Sequence, residues 1–251
     1  MDDEDTPIIT EQIQIQQQQL LLARAVLIDI DGTFVDSNPS HAMAWRDACQ
    51  DFGFIQVTYE KAKPLIGMGS DKIIKELTGL EKDSTLAKEL ISHRMEIFKT
   101  KYLPNLQPFP KARELLMKMS EGGLRMIVAT SAKDDEMEAI LKQADLNDLC
   151  DTRTSGSEAR HSKPDPDIIS AAIDKCDDIP KEQILMLGDT PYDIESAKRA
   201  GIRIVAVTCG GWSRESLQGA EEIYEGPADI LEHYDQTAFA RLYRQNEQTT
   251  A

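Results

Sequence analysis

The sequence predicts an α/β fold: a parallel sheet with helices on both faces, carrying a small helical domain on one of its loops. Three observations support this. Four short apolar runs recur along the chain, at 25–30, 124–130, 184–188 and 202–208. Stretches with helical apolar periodicity separate them, and strands that alternate with helices make a parallel sheet. About ninety residues lie between the first two runs, where a βαβ unit takes roughly 30 or slightly more. A separate unit is therefore inserted after the first strand.

In chain order, residues 1–23 open with Asp2, Asp3, Glu4 and Asp5 and contain the glutamine run Gln16 to Gln19. That low-complexity composition offers too little apolar burial to offset ordering entropy, so it reads as a flexible extension without chemistry. Its acidic start also lacks the basic-then-apolar order of a signal peptide. AVLIDI, Ala25 to Ile30, is a buried strand whose carboxyl end meets the turn signal Asp31-Gly32. Residues 37–107 then read as helical. Pro39 to Phe52 is followed by Gly53, Ser70 to Leu77 is closed by Gly79, and Asp83 to Lys101 stops before Pro104. Prolines in both connections to the rest of the chain, at Pro39 and at Pro104 to Pro110, suit defined hinges. Residues 24–36 and 108–251 form the α/β core, with helices at Pro110 to Glu121, Lys133 to Ala144, Pro164 to Lys175 and Pro191 to Ala200. A last helix is expected near Gln236 to Gln245.

Composition excludes several function classes. A chain of 251 residues can bury about 70–75% of its unfolded surface and needs no disulfide or metal staple. Forty-four acidic against 28 basic residues give a formal charge of −16, which repels nucleic acid and anionic membranes. A small anionic substrate then needs a local cation to hold it. No run approaches the roughly 20 apolar residues of a membrane span. Cys49, Cys150, Cys176 and Cys209 are far apart, without a CxxC pair, as expected of free thiols in a reducing compartment. The expected location is the cytoplasm, and the expected state is a monomer or weak homodimer.

In an open parallel sheet, ligands bind beyond the carboxyl ends of the strands. The first strand delivers Asp29 and Asp31, followed by Gly32 and Thr33; the second delivers Thr130 and Ser131. Lys163 precedes the helix opening at Pro164, and the ILMLG strand delivers Asp189 and Asp193. Several carboxylates converging with a hydroxyl and a lysine suit a hard, oxygen-seeking cation and a phosphoryl group. Taken singly, Asp189 and Asp193 also suit a helix start, where acidic side chains favour the dipole.

At these residues the chain resembles the haloacid dehalogenase superfamily of phosphotransferases. Four motifs occur in the family's order: DIDGT at 29–33, VATS at 128–131, SKPDPD at 162–167 and GDTPYD at 188–193. The resemblance implies a Rossmann-like core with a helical cap inserted after the first motif. It implies Asp29 as a nucleophile that forms an aspartyl-phosphate, and Asp31 as the general acid and then base. It implies Mg2+ held by Asp29, the backbone carbonyl of Asp31 and Asp189, with Asp193 as a further ligand or orienter. Thr130, aided by Ser131, and Lys163 hold phosphoryl oxygens, and Gly32 presents its amide to the same group.

Within the superfamily, the metal-free dehalogenases lack the second aspartate of the first motif, which is present here as Asp31. A phosphonatase-like enzyme uses a cap lysine, and Lys72 in IGMGSDK at 66–72 invites that comparison, although a lysine in a polar first turn also suits the surface. A β-phosphoglucomutase-like phosphotransferase places a cap histidine where His41 falls, but the fourth motif here is similar to that of phosphatases of the phosphoglycolate type. The expected activity is therefore hydrolysis of a small phosphorylated metabolite, a sugar phosphate or a phosphoglycolate-like monoester. His41 and Lys72 are the cap residues expected to meet it. Arg94 and Lys99 read as surface charges, with Arg94 within reach of substrate. A non-catalytic interaction module predicts erosion of the acid set, and none is seen.

Overall fold

The structure, a computed structural model, describes residues 23–150 and 152–240. Six strands form one parallel sheet in the order β3-β2-β1-β4-β5-β6. They are β1 (Ala25–Ile28), β2 (Arg125–Ala129), β3 (Thr152–Thr154), β4 (Ile184–Gly188), β5 (Arg203–Val207) and β6 (Glu222–Tyr224). The central strand β1 pairs with β2 on one side and β4 on the other, Ile28 standing opposite both Val128 and Leu187.

The strands are apolar on both faces because both faces are covered. Val26, Ile28, Leu185, Leu187 and Val205 pack on one side, against α5 (Ala112–Glu121) and α6 (Asp134–Gln143). Ala25, Leu27, Ile127, Met186 and Ile204 pack on the other, against α7 (Asp167–Asp174) and α8 (Pro191–Ala200).

Between β1 and α5 stand α1 (Asn38–Asp51), α2 (Tyr59–Ala62), α3 (Ser70–Thr78) and α4 (Thr85–Ile97), with wide and tight single turns at Phe98–Tyr102 and Leu103–Asn105. They share an apolar cluster of their own around Trp45, Ile74, Ala87 and Leu90. Ser84 sets the start of α4, its side chain accepting from the Ala87 N–H at 3.3 Å.

Several expectations are corrected. β3 and β6 were not predicted; each has three residues, sits at an end of the sheet and pairs on one side only, so neither needs a continuous apolar run. The short helix α2 was also missed. The helix expected from Pro164 begins at Asp167 instead, because Pro166 occupies its N-cap, and a residue that precedes a proline is steered away from helical dihedrals. Where a last helix was expected near Gln236, the structure has α9 (Pro227–Glu232) and a single tight turn at Tyr234–Gln236. The remainder of that expected helix, residues 241–245, lies outside the described residues, as do residues 1–22 of the expected extension. No helix among the described residues is long and apolar enough to cross a membrane, and all four cysteines are free.

Candidate active site

The carboxyl ends of β1, β2 and β4 converge with the loop that opens α7, and the inserted helices sit over them. Asp29 leaves β1 with its amide donating to the Leu187 carbonyl at 2.9 Å, which fixes it directly above the sheet. The chain then turns sharply, Phe34 and Val35 both donating to the Ile30 carbonyl. Gly32, at φ +77°, makes the turn possible, and a Cβ there would lie 2.1 Å from Asn38 Nδ2 and 2.3 Å from Asp189 Oδ2. No side chain fits that position.

Asp29, Asp189 and Asp193 place carboxylate oxygens within 4.8 Å of one another, and all three are buried. Burial, opposed by Lys163 and reinforced by the charges of Asp193 and Asp31, raises Asp29 to about 8. Burial and the same crowding, by Asp193 and Asp29, raise Asp189 well above the carboxylate range. Lys163, 1% exposed, bridges Asp29 at 2.6 Å and Asp193 at 2.8 Å. Burial alone would lower its pKa, but the two carboxylates hold it higher than usual. One ammonium facing three buried carboxylates leaves negative charge uncompensated, and all-oxygen donors suit a hard divalent cation. The residues therefore fit magnesium. Gly210 completes the cradle, since a Cβ there would lie 1.7 Å from Asp189 Oδ2.

Asp193 also serves the local fold. It forms a capping box with Thr190 at the start of α8, so the helix-start reading holds for it while its carboxylate also belongs to the acidic cluster.

Asp31 stands apart from that cluster and faces the insert. Ser37 Oγ donates to Asp31 Oδ1 at 2.5 Å and His41 Nε2 donates to the same oxygen at 2.8 Å. Arg94 contacts His41 Nδ1 at 2.5 Å and donates to Glu136 Oε1 at 2.6 Å. A guanidinium can only donate, so Nδ1 is the acceptor and Nε2 carries the ring proton toward Asp31. The ring is stacked on Phe98, 4.2 Å between centroids. Burial pushes the Asp31 carboxyl up, but the His41 ring, the Ser37 hydroxyl and the Arg94 guanidinium together hold it below its ordinary value.

Thr130, Ser131, Asp29, Asp31 and His41 line a cavity of about 640 Å3 between insert and sheet. Thr130 Oγ1 accepts from the Ala132 amide at 3.1 Å, and Ser131 Oγ donates to the Gly67 carbonyl at 3.2 Å. Lys163, Asp189 and Asp193 lie behind Asp29. Two expectations for the insert need correction. Lys72 is not among the cavity-lining residues: its ammonium is held by the Ser162 carbonyl at 2.6 Å and Asp165 at 2.5 Å. Arg94, read as a surface charge, is 5% exposed, because Glu136 from the core neutralises it. Lys99 does sit at the surface, paired with Asp135 at 2.5 Å.

Sequence reasoning missed Asn38, Ser37, Glu136 and Gly210. Asn38 Nδ2 donates to Asp189 Oδ2 at 2.8 Å and to the Gly210 carbonyl at 3.0 Å. Thr33, quoted only as the end of a motif, donates at 3.3 Å toward both Asp29 and Asp189. The stretch DSNPSH carried signal for Ser37 and Asn38, since its polar residues open a helix right after the acid pair.

The model of the haloacid dehalogenase-like hydrolases matches residues 26–207. A phosphoglycolate phosphatase of Nitrosospira multiformis is 29% identical over 213 residues, covering 83% of this chain and 90% of its own length. The crystal structure of a hydrolase from Pseudomonas syringae superposes with a TM-score of 0.77 at 27% identity, covering 84% of this chain and 98% of its own. A putative β-phosphoglucomutase from Bacteroides vulgatus shares the fold at a TM-score of 0.75 and 23% identity, over 87% of this chain and 91% of its own.

Proposed function

Because the chain belongs to the haloacid dehalogenase-like hydrolases, we propose that it is a magnesium-dependent phosphatase acting on a small phosphorylated metabolite, a sugar phosphate or a phosphoglycolate-like monoester. The observation that carries this reading is the pair of carboxylates at the end of β1, one facing a metal-binding cluster and the other a hydrogen-bonded donor set. Asp29 is the nucleophile. Its oxygen attacks phosphorus, the ester P–O bond breaks, and the alcohol leaves with the proton of Asp31. His41 and Ser37 stabilise the carboxylate that this step leaves behind, which makes Asp31 a stronger acid. In the second half, water attacks the phosphorus of the aspartyl-phosphate, its proton passes to Asp31, and phosphate departs with Asp29 restored. Thr130 and Ser131, which line the cavity, hold phosphoryl oxygens, while Lys163 offsets the charge of Asp29 from behind; the Gly32 amide, expected to join them, is instead taken by the Val35 carbonyl at 2.9 Å. Asp29, Asp189, Asp193 and the Asp31 carbonyl would hold Mg2+, whose charge would neutralise the meeting anions.

In this reading residues 37–107 are a cap that closes over the core, residues 24–36 and 108–251. The contacts that cross from insert to core, Lys72 to Asp165, Arg94 to Glu136 and Ser131 to Gly67, support a closed state. Four free cysteines and the acidic charge support a cytoplasmic location. The His41 contact to Asp31 favours a second reading, transfer of the phosphoryl group to a second hydroxyl of a sugar. One assay separates them: inorganic phosphate and sugar-phosphate isomers are measured together with phosphoglycolate and glucose 1-phosphate as substrates, with magnesium and with excess chelator. Phosphate release that needs magnesium and vanishes in Asp29→Asn supports the phosphatase. Isomer formation without phosphate release supports the mutase, and full activity in chelator overturns both.

A further inference from the structure

The three buried carboxylates at the sheet edge are not held alike. Lys163 reaches Asp29 and Asp193, whereas the side-chain donors to Asp189 are the neutral groups of Thr33 and Asn38. The Thr33 hydroxyl stands 3.3 Å from Asp189 Oδ1 and 3.3 Å from Asp29 Oδ2; with a single proton it serves only one of them at a time. The firm donor to Asp189 is Asn38 Nδ2, 2.8 Å from Oδ2. That donor comes from the insert and not from the sheet, since Asn38 is the first residue of α1.

The orientation of the amide is fixed. Nδ2 also donates to the Gly210 carbonyl at 3.0 Å, so turning the amide end for end would set its oxygen against two other oxygens. The cost falls on Asn38 Oδ1, which is buried and has no donor among the described residues. A side chain present only to fill space would not leave a buried acceptor unpaired. The position therefore depends on the donor. Ser37 and His41, in the same turn, donate to Asp31, so one turn of the insert serves both the acid–base carboxyl and the acidic cluster.

Building on the phosphatase reading above, we propose that Asn38 is a positioning residue for the metal site: its amide holds Asp189 in the orientation that receives Mg2+, and magnesium affinity therefore depends on the placement of the first turn of the insert. The metal site is in this sense shared between insert and core, although its carboxylates all belong to the core. Partners that orient a ligand in this way typically change metal affinity ten- to hundredfold when they are removed.

The test reads metal binding apart from turnover. Magnesium chloride is titrated calorimetrically into the full-length protein, into Asn38→Leu and into Asn38→Ala. Leucine keeps about the size of the side chain and removes the donor; alanine removes the donor but leaves room for a water to donate in its place. The Kd for Mg2+ is expected to weaken by about tenfold in Asn38→Leu and by no more than that in Asn38→Ala. The near-ultraviolet circular dichroism, to which Trp45 in the insert's apolar cluster contributes, should be unchanged in both. An unchanged Kd in both variants overturns the proposal. So does a larger loss in Asn38→Ala than in Asn38→Leu, or a loss accompanied by an altered dichroism signal, because either marks a packing role. Should Asn38→Leu fail to fold, Asn38→Ala decides alone: a weakened Kd with an intact signal supports the proposal, and an unchanged Kd overturns it. A wild-type protein that binds no magnesium fails the parent reading as well, whereas wild-type binding matched by both variants overturns the proposal alone.

Discussion

His41 donates its Nε2 proton to Asp31 at 2.8 Å while Arg94 occupies its Nδ1 at 2.5 Å. The histidine therefore acts through Asp31, and its loss should be read in the chemistry of proton transfer. His41→Phe keeps an aromatic ring to stack on Phe98 and removes the donor. Burial then acts on Asp31 with less opposition and its pKa rises toward or above the ordinary value. A weaker acid that keeps its proton to higher pH has two consequences. For an alkyl phosphate, kcat/KM at its optimum should fall by about tenfold or more, and the alkaline limb of its pH profile should move up. For p-nitrophenyl phosphate, whose leaving group needs little protonation, the loss of kcat/KM should be smaller. Equal losses on both esters with an unmoved limb would mean that His41 only supports the fold.

Arg94 and Glu136 join the insert to the core through a buried ion pair at 2.6 Å, with both side chains about 5% exposed. Removing one partner leaves an uncompensated buried charge, a loss of about 3–5 kcal/mol, whereas replacing both by apolar groups can be nearly neutral. Arg94→Met should therefore lower the midpoint of urea unfolding strongly, and Arg94→Met/Glu136→Met should recover most of the loss. The double variant should still show lowered kcat/KM on alkyl esters, by no more than His41→Phe does, because His41 has lost the partner that fixes its tautomer. Additive losses in the two single variants would contradict the pair.

Much of this arrangement was legible in the sequence, and the reason is local. Asp29, Asp31, Thr130 and Asp189 each stand at or just beyond the carboxyl end of an apolar strand, and Asp193 lies in the first turn of the helix that follows one, so strand prediction alone placed them on one edge of the sheet. Lys163 was legible as a motif residue, but its burial between Asp29 and Asp193 was not, because nothing local distinguishes it from a lysine in a solvated loop. The errors concern long-range partners. Arg94 reads as a surface charge on a helix until Glu136, 42 residues away, is brought against it. Lys72 reads as a residue facing substrate until Asp165, 93 residues away, takes its ammonium. β3 and β6 escaped because an end strand with one partner can be short and polar.

Gly210 offers a test of the metal cradle that leaves every carboxylate in place. A Cβ at this position would stand 1.7 Å from Asp189 Oδ2 and 2.5 Å from its Cγ, so Gly210→Ala must displace the carboxylate. Ligand geometry is demanding for magnesium, and apparent magnesium affinity, read from the magnesium dependence of turnover, should weaken by about tenfold or more. The expected folded state persists, checked by far-ultraviolet circular dichroism. Unchanged magnesium dependence would remove Asp189 from the metal site.

The same crowding predicts how stability responds to pH. In the unfolded chain a carboxylate titrates near 3.9, whereas burial raises Asp29 to about 8 and lifts Asp189 in the same direction. Between those values the folded metal-free protein binds more protons than the unfolded chain. Stability then falls with rising pH, since the slope follows the protons bound by the unfolded state minus those bound by the folded state. The contribution is fully present below about pH 4 and is lost as pH rises through about 8. Lys163 adds no slope in this window, because its pKa is raised from an already basic value. Asp31, with its lowered pKa, contributes only at the acid end, where its share is lost as pH falls. Magnesium reverses the trend, since it binds the deprotonated carboxylates of the folded state and stabilises that state by mass action. Thermal melts in chelator should therefore give a higher Tm at about pH 5 than at about pH 8, and the gain on adding magnesium should be larger at the higher pH. Asp189→Asn, which removes one of the crowded charges without changing its shape, should flatten the chelator profile and shrink the magnesium gain. A metal-free Tm that rises between those two pH values would mean that the three carboxylates are not under electrostatic strain, and the assignment of the cluster as a cation site would lose its physical basis.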